Sequence, residues 1–353
     1  MLTGIYGFEL SGEDEKLPEA EVIALFETYG AKIKGLNRLN RLLLVEVDWQ
    51  GRSDLLSEFT ARIALSHVVI EVSEVTDADP DKIKKNVLKI SPMIRGSYAV
   101  DAKVWNNPSF RSVELERSVG ALLYHEGVWV DLKNPDVIIK LYIIGKTCVL
   151  GKIVYKRSKR EFSERIPHLR PFFSPGVLKP QLARAIVNLC CIKPSQRLLD
   201  PFVGTGGILL EAGLMGIACL GIDVQERMVL GASNNLEALD DVNLMLGDAR
   251  SLPFKNSSIE GIVTDPPYGR SSRIKGDSLD SLYRDALSEI FRVLKSGCYA
   301  VIIADKPVSE LIDLAGFLVI AEYRIRVHRS MTRRIYVMKK SIRSKTILSE
   351  ISV

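Results

Sequence analysis

From residue 178 onward the apolar pattern switches repeatedly between short Val/Ile/Leu-rich runs and longer stretches with apolar residues three and four apart. That alternation commits a chain to strands joined by crossover helices, because parallel neighbours need a connection of a dozen or more residues. The periodicity predicts a helix over 178–189, with Leu182, Ala183, Ile186 and Leu189 on one face, and further helices over 206–214, from 225, and over 278–294. It predicts strands over 197–202, 219–223, 243–246, 261–264 and 299–304, and a closing antiparallel hairpin from 323–328 and 333–339. The expected architecture is α/β: a mostly parallel, doubly wound, Rossmann-like sheet covered on both faces.

The first 160 residues lack this regularity. Helices are predicted over 19–29, 55–64 and 111–124, and strands over 41–48, 68–75 and 97–104. A charged break covers 77–85, and 128–142 reads as two strands joined by the turn Asn134-Pro135-Asp136. The half is α+β, with neither a nucleotide loop nor a catalytic constellation. At 353 residues the chain exceeds a typical domain of roughly 100 to 150, so at least two domains are expected.

Composition narrows the function classes. No basic segment followed by an apolar run opens the chain, and no apolar stretch approaches the roughly 18 to 20 residues that span a bilayer, so a cytoplasmic protein is expected. Its five cysteines are irregularly spaced inside apolar segments, and its four histidines stand far from one another and from any cysteine pair. No metal site is expected. Positive charge gathers in two places: nine Lys/Arg against two Glu over 320–353, and seven against two over 152–170. Either run can track a phosphate backbone or form a solvated face.

In an open α/β sheet ligands sit beyond the carboxyl ends of the strands. The first such end is Asp200-Pro201-Phe202-Val203-Gly204-Thr205-Gly206-Gly207, where glycines let a ligand approach the backbone and Asp200 suits an amino group. The second is Asp223, an acceptor for ribose hydroxyls, and the third Gly247-Asp248, an acceptor for an adenine amine. A nicotinamide dinucleotide fits less well, since its glycine pattern needs glycine where Leu209 stands and Asp200 would repel a pyrophosphate. The three ends together point to S-adenosylmethionine.

The strand over 261–264 runs into Asp265-Pro266-Pro267-Tyr268-Gly269. Two prolines and a glycine suffice for a rigid turn, but the position is that of a catalytic strand end. A flipped base stacked on Tyr268 gains about 1–3 kcal/mol, comparable with the cost of extruding it. Asp265 and the Pro266 carbonyl are acceptors for an exocyclic amine, whose delocalised lone pair becomes nucleophilic only when its protons are held. Asp265 either takes the departing proton or only holds the amine; the residues leave both open. His168 has no chemical partner in the sequence and is read as a capping or linker residue.

D-P-P-Y after such a glycine loop resembles the amino-methyltransferases that modify exocyclic amines of bases. Arg170-Pro171-Phe172-Phe173-Ser174-Pro175-Gly176, with Leu178-Lys179-Pro180 and Leu182-Ala183-Arg184, and Val327-His328-Arg329-Ser330-Met331-Thr332-Arg333-Arg334, resemble segments of archaeal tRNA guanosine N2-methyltransferases that carry an RNA-binding THUMP domain. The resemblance implies a ferredoxin-like element over 1–60, THUMP over 61–156, a linker and pocket edge over 157–177, and a methyltransferase domain over 178–345. It implies that Asp200, Gly204 and Gly206 surround the methionine end of the cofactor, Asp223 its ribose and Asp248 its adenine, with Ser174, Thr205, Ala249 and Asp265 also bordering the cofactor. Asp265, Pro266 and Tyr268 would hold the guanine at tRNA position 10, which receives one or two methyl groups. Arg170, Phe172, Arg329, Arg333 and Arg334 would contact tRNA; for Phe172 and Phe173, core packing stands as an equal reading. Some relatives need a small activating subunit, and the catalytic chain is expected to be monomeric. An amino-methyltransferase for another base, and an RNA-binding protein without catalysis, stand as alternatives.

Overall fold

The computed structural model describes residues 3–12, 14–158, 160–268, 279–328 and 331–341. The chain divides into two compact units, one of residues 1–13, 30–60 and 66–158, the other of 14–29, 61–65 and 159–353.

The elements up to residue 156 are β1 (Thr3–Leu10), α1 (Leu17–Tyr29), β2 (Lys32–Leu39), β3 (Leu42–Asp48), α2 (Leu56–Arg62), β4 (Ser66–Asp77), α3 (Pro80–Ile90), β5 (Gly96–Trp105), α4 (Ser112–Leu123), β6 (Val128–Val130), β7 (Val137–Ile144) and β8 (Thr147–Lys156). In the first unit the strands form one eight-stranded sheet in the order β2-β3-β1-β4-β8-β7-β5-β6. The twelve-residue β4 pairs with β1 on one side and β8 on the other, so hydrogen bonding runs unbroken past residue 60. Two expectations change. The charged break becomes α3, because Asp79 accepts from the backbone N–H groups of Asp81 and Lys82, Pro80 opens the first turn, and Ile83, Val87 and Ile90 fall on one buried face. The turn at 134–136 joins strands that do not pair with each other: β6 and β7 lie on opposite sides of β5, each parallel to it.

The second unit continues with α5 (Pro180–Leu189), β9 (Arg197–Asp200), α6 (Gly207–Gly213), β10 (Ala218–Asp223), α7 (Glu226–Leu236), β11 (Val242–Leu246), β12 (Ile259–Thr264), α8 (Leu279–Val293), β13 (Leu294–Ala304), α9 (Ser309–Leu314), β14 (Leu318–His328) and β15 (Met331–Lys339). Its sheet order is β11-β10-β9-β12-β13-β15-β14, with the first five strands parallel and β15 antiparallel to both of its neighbours. The chain winds outward from β9 to β11, then returns to β12 on the other side of β9. That reversal opens a crevice at the carboxyl ends of β9 and β12, where ligands of such sheets bind.

Two amino-terminal pieces belong to this second unit. Glu21 of α1, fully buried, accepts from the backbone N–H groups of Ala64 (2.9 Å) and Leu65 (2.8 Å) and from Asn188 Nδ2 (2.8 Å). Arg62 donates to Asn188 Oδ1 (3.2 Å) and to the Ile192 carbonyl (2.8 Å). A buried carboxylate and guanidinium so engaged are costly to separate from their partners.

Candidate active site

Beyond β9 the backbone turns through Gly204 (φ 52°) and Gly206 (φ 78°) into α6. A Cβ on Gly206 would meet Leu236 Cδ1 at 2.9 Å, so the turn requires glycine there both for its dihedral and for its packing. A Cβ on Gly204 would meet only the Phe202 carbonyl, at 3.9 Å, and otherwise project into open space. Asp223, at the end of β10, fastens the turn by accepting from Gly204 N (3.0 Å) and Gln225 N (2.9 Å). Thr205 is buried beneath it.

Asp200 occupies a different position from the one expected. It is 1% exposed, and its Oδ1 accepts from Thr264 Oγ1 (2.6 Å) and Phe202 N (3.1 Å). It braces the turn from beneath instead of lining its open face. Burial pushes its carboxyl up to about 7, against the pull of those two hydrogen bonds, and the nearby Asp265 and Asp223 charges add to the rise.

The segment before α5 covers this turn. Glu211 of α6, fully buried, holds Arg165 through two hydrogen bonds (2.9 and 3.1 Å) and Arg184 at 2.9 Å. The Arg165 carbonyl accepts from Arg170 Nε at 3.0 Å. Arg170, expected on tRNA, is 9% exposed, and its Nη1 stands 2.7 Å from where a Gly207 Cβ would be. Phe172, expected likewise, packs against Gly231 of α7 with the Arg227 guanidinium 5.5 Å over its ring. Both residues pack on the glycine turn and α7, because the segment's backbone is pinned there. Asn235 of α7 accepts from Phe172 N (2.9 Å) and donates to the Phe172 carbonyl (2.8 Å) and the Thr205 carbonyl (2.9 Å). Asn235 was invisible in the sequence, being one polar residue among several in an amphipathic helix. Ser174 is partly buried and Phe173 is 48% exposed.

Across the crevice, β12 ends in Thr264 and leads into the tetrapeptide. The Tyr268 hydroxyl donates to Asp265 Oδ1, and Pro266 is buried. Burial lifts the Asp265 carboxyl to about 6, opposed by that hydrogen bond and by the Arg333 charge, while burial beside Asp265 raises the Tyr268 phenol. Thr264 therefore joins the two loops, bonded to Asp200 by its side chain and to Asp265 by the chain itself.

Three other expected residues stand as follows. Asp248 pairs with Arg250 at 2.7 Å, which draws its carboxyl below the usual range, and Ala249 is buried. Arg334 pairs with Glu322 at 2.6 Å across the β14–β15 hairpin. Arg333 points the other way, 8% exposed, and donates from Nη2 to the Gly176 carbonyl at 2.6 Å, so it too lies away from the solvent-facing position expected of a phosphate contact. Arg329 and Gly269 lie outside the described residues. Among the described residues no cluster of metal-ligating side chains occurs, and no helix is long and apolar enough to cross a membrane.

Comparison with known proteins accounts for both units. Residues 77–151 match the THUMP domain and 167–334 the RMKL-like methyltransferase domain. The tRNA (guanine(10)-N2)-dimethyltransferase of Pyrococcus abyssi is 34% identical over 336 residues, 94% of this chain and 98% of that protein. Its namesake in Methanocaldococcus jannaschii is 31% identical over 95% of this chain and 99% of its own. The Thermus thermophilus tRNA (guanine(6)-N2)-methyltransferase is 31% identical over 69% and 73%. The crystal structure of TrmN from Thermus thermophilus superposes with a TM-score of 0.52 at 23% identity, over 95% of this chain and 99% of that one, which supports the fold. The chain belongs to the THUMP-domain tRNA (guanine-N2)-methyltransferase family.

Proposed function

We propose that this protein transfers one or two methyl groups from S-adenosylmethionine to the exocyclic N2 of a guanosine in tRNA, at position 10 as the names of the archaeal relatives have it. The observation that carries the reading is the placement of the Asp265–Tyr268 pair at the end of β12, one strand over from the glycine turn and tied to it through Thr264.

The residues fit the cofactor. The open space over Gly204 admits a ligand against bare backbone, and we assign Ser174, Thr205 and Gly206 to its methionine end. Asp223, a carboxylate with four lone-pair sites, keeps acceptor capacity beyond its backbone bonds for ribose hydroxyls, with Asp248 and Ala249 at the next strand end for adenine. When bound, the cofactor supplies an electrophilic methyl carbon on a sulfonium.

The chain's own residues do the rest. Asp265, with one oxygen bonded to Tyr268, accepts from the guanine amine and so draws its nitrogen lone pair out of the ring. The Pro266 carbonyl is the second acceptor. The proline pair keeps both acceptors in fixed register, and such alignment supplies about 7–11 kcal/mol of a barrier. Tyr268 presents its ring to the base. We take residues 1–60 and 61–156 as the ferredoxin-like and THUMP RNA-gripping parts, 157–177 as the pocket edge and 178–345 as the catalytic part of a monomeric cytoplasmic enzyme.

Unmodified tRNA incubated with labelled cofactor, digested and resolved into nucleosides, tests this. Labelled N2-methyl- or N2,N2-dimethylguanosine is expected. Methylated adenosine would move the acceptor to another base, and cofactor and tRNA binding without product would leave an RNA-binding protein.

A further inference from the structure

Arg333 and Arg334 are neighbours in sequence with identical chemistry, yet β15 sends them to opposite faces of its sheet. Arg334 meets Glu322 in a half-buried cross-strand pair. The Arg333 guanidinium is buried instead, gives Nη2 to the Gly176 carbonyl at 2.6 Å and brings its charge beside the Tyr268 phenol, whose rise it opposes. Its Nε is buried without a partner, and among the described residues no carboxylate lies within ion-pair distance of it. Burying an arginine in this way is expensive, and stability alone does not favour it. Nor does the position suit a phosphate contact, which needs a cation on the surface.

What the guanidinium does touch is informative. Gly176 lies near the close of the pocket-edge segment, which Asn235 holds on the glycine turn at Phe172, four residues earlier. Tyr268 closes the acceptor turn. One side chain, fixed to the pocket-edge segment at Gly176, therefore sets its charge beside the Asp265–Tyr268 pair. The Tyr268 hydroxyl gives its proton to Asp265, and the Arg333 charge lies beside that pair.

We infer that Arg333 is a positioning residue for methyl transfer, its buried guanidinium fixed on the pocket edge at Gly176 so that a positive charge stays beside the Asp265–Tyr268 pair. The inference rests on the reading of Asp265 and Tyr268 as the acceptor site. It carries an electrostatic consequence as well: the guanidinium opposes the burial that lifts the Asp265 carboxyl, so its removal lets that carboxyl rise further. The charged groups near Asp265 are Arg333, Asp305 and Asp200, and Tyr268 and Tyr283 are the titratable hydroxyls beside it.

Arg333→Met and Arg333→Lys test this in the full-length protein, with single-turnover methyl transfer to saturating tRNA measured from pH 5.5 to 9. For Arg333→Met we expect a rate about 10- to 100-fold lower at pH 7 and an acid limb displaced upward by about one unit, the size of shift an adjacent opposite charge produces. Arg333→Lys should restore the acid limb but only part of the rate, since a point charge does not reproduce the planar fork. Affinity for S-adenosylhomocysteine and the salt dependence of tRNA binding should both stay at wild-type values. On a Tyr268→Phe background Arg333→Met should cost little more. A tRNA-binding slope flattened by about 0.9 per arginine, with an unmoved pH profile, would make Arg333 a phosphate contact and overturn the inference. A slower enzyme whose pH profile is unmoved in both variants would reduce it to a structural role and overturn it equally. Should Arg333→Met fail to fold, the Arg333→Lys profile and its coupling to Tyr268→Phe decide alone. Wild-type protein that binds S-adenosylhomocysteine and tRNA but transfers nothing overturns the acceptor-site reading and this inference together, whereas active wild type with indifferent Arg333 variants overturns the inference only.

Discussion

Thr264 Oγ1 donates to Asp200 Oδ1 across 2.6 Å, joining the ends of two strands that lie on either side of the point where the sheet reverses. The contact places an almost fully buried carboxyl between the glycine turn and the acceptor turn, with its affinity for protons raised to about 7. Between pH 4 and 7 the folded state thus holds a proton that the unfolded chain has released. Stability contributed by this group is present at the acid end of that window and falls as pH rises through it, by about 4 kcal/mol at most. In Asp200→Asn, which keeps an acceptor for Phe202 N, the decline should flatten. Thermal unfolding midpoints of the two proteins from pH 5 to 8 measure the difference, and parallel curves would mean that Asp200 is already ionised at the acid end.

Asp265→Ala should remove methyl transfer by about 10²–10⁴-fold, the range over which a positioned acceptor acts. Binding of S-adenosylhomocysteine should change less than about threefold. Calorimetry and single-turnover assays on the same preparation separate the two, and retained turnover would remove Asp265 from the chemistry.

In the wild type, activity should rise with pH and reach half its plateau near pH 6. The Asp265 carboxyl is lifted to about 6 by burial, and only its charged form accepts both from Tyr268 and from a substrate amine. A rate that is level from pH 5 to 8 with tRNA intact would show that proton release at Asp265 is irrelevant to transfer.

Asn235→Leu removes one acceptor and two donated bonds that tie Phe172 and Thr205 together. Leaving those backbone groups unpaired costs about 1–3 kcal/mol. The pocket edge should loosen along with it, weakening S-adenosylhomocysteine binding about tenfold. Urea unfolding and calorimetric titration report each effect, and a stability loss without any change in affinity would confine Asn235 to the scaffold.

Glu211→Gln leaves Arg165 and Arg184 facing each other without their common carboxylate. Breaking a buried ion cluster from one side costs about 3–5 kcal/mol. The denaturation midpoint should fall accordingly, and a shift equivalent to less than about 1 kcal/mol would show that water replaces the lost partner.

The glycine turn, the three carboxylates at successive strand ends, the tetrapeptide after β12 and the closing hairpin were all legible in the residues. Each depends on local features: a period of two or of 3.6, a dihedral that only glycine adopts readily, a proline that fixes φ. The strands β1 and β2 carry no such signal, and α3 reads as a break because its charged face outnumbers its apolar one. The chemistry of Asp200, Arg170 and Arg333 suits ligands, yet each is buried and holds other parts of the protein.

What the sequence by itself determined is the order of elements and the identity of the groups at the strand ends, since backbone preference and amphipathic period act over a few residues. The tertiary structure alone decided which of those groups face a ligand and which brace the walls. Arg333 finds Gly176 across 157 positions, and Glu211 finds Arg165 across 46. Burial and partnership of a charge are set by neighbours distant along the chain, and no local rule contains them.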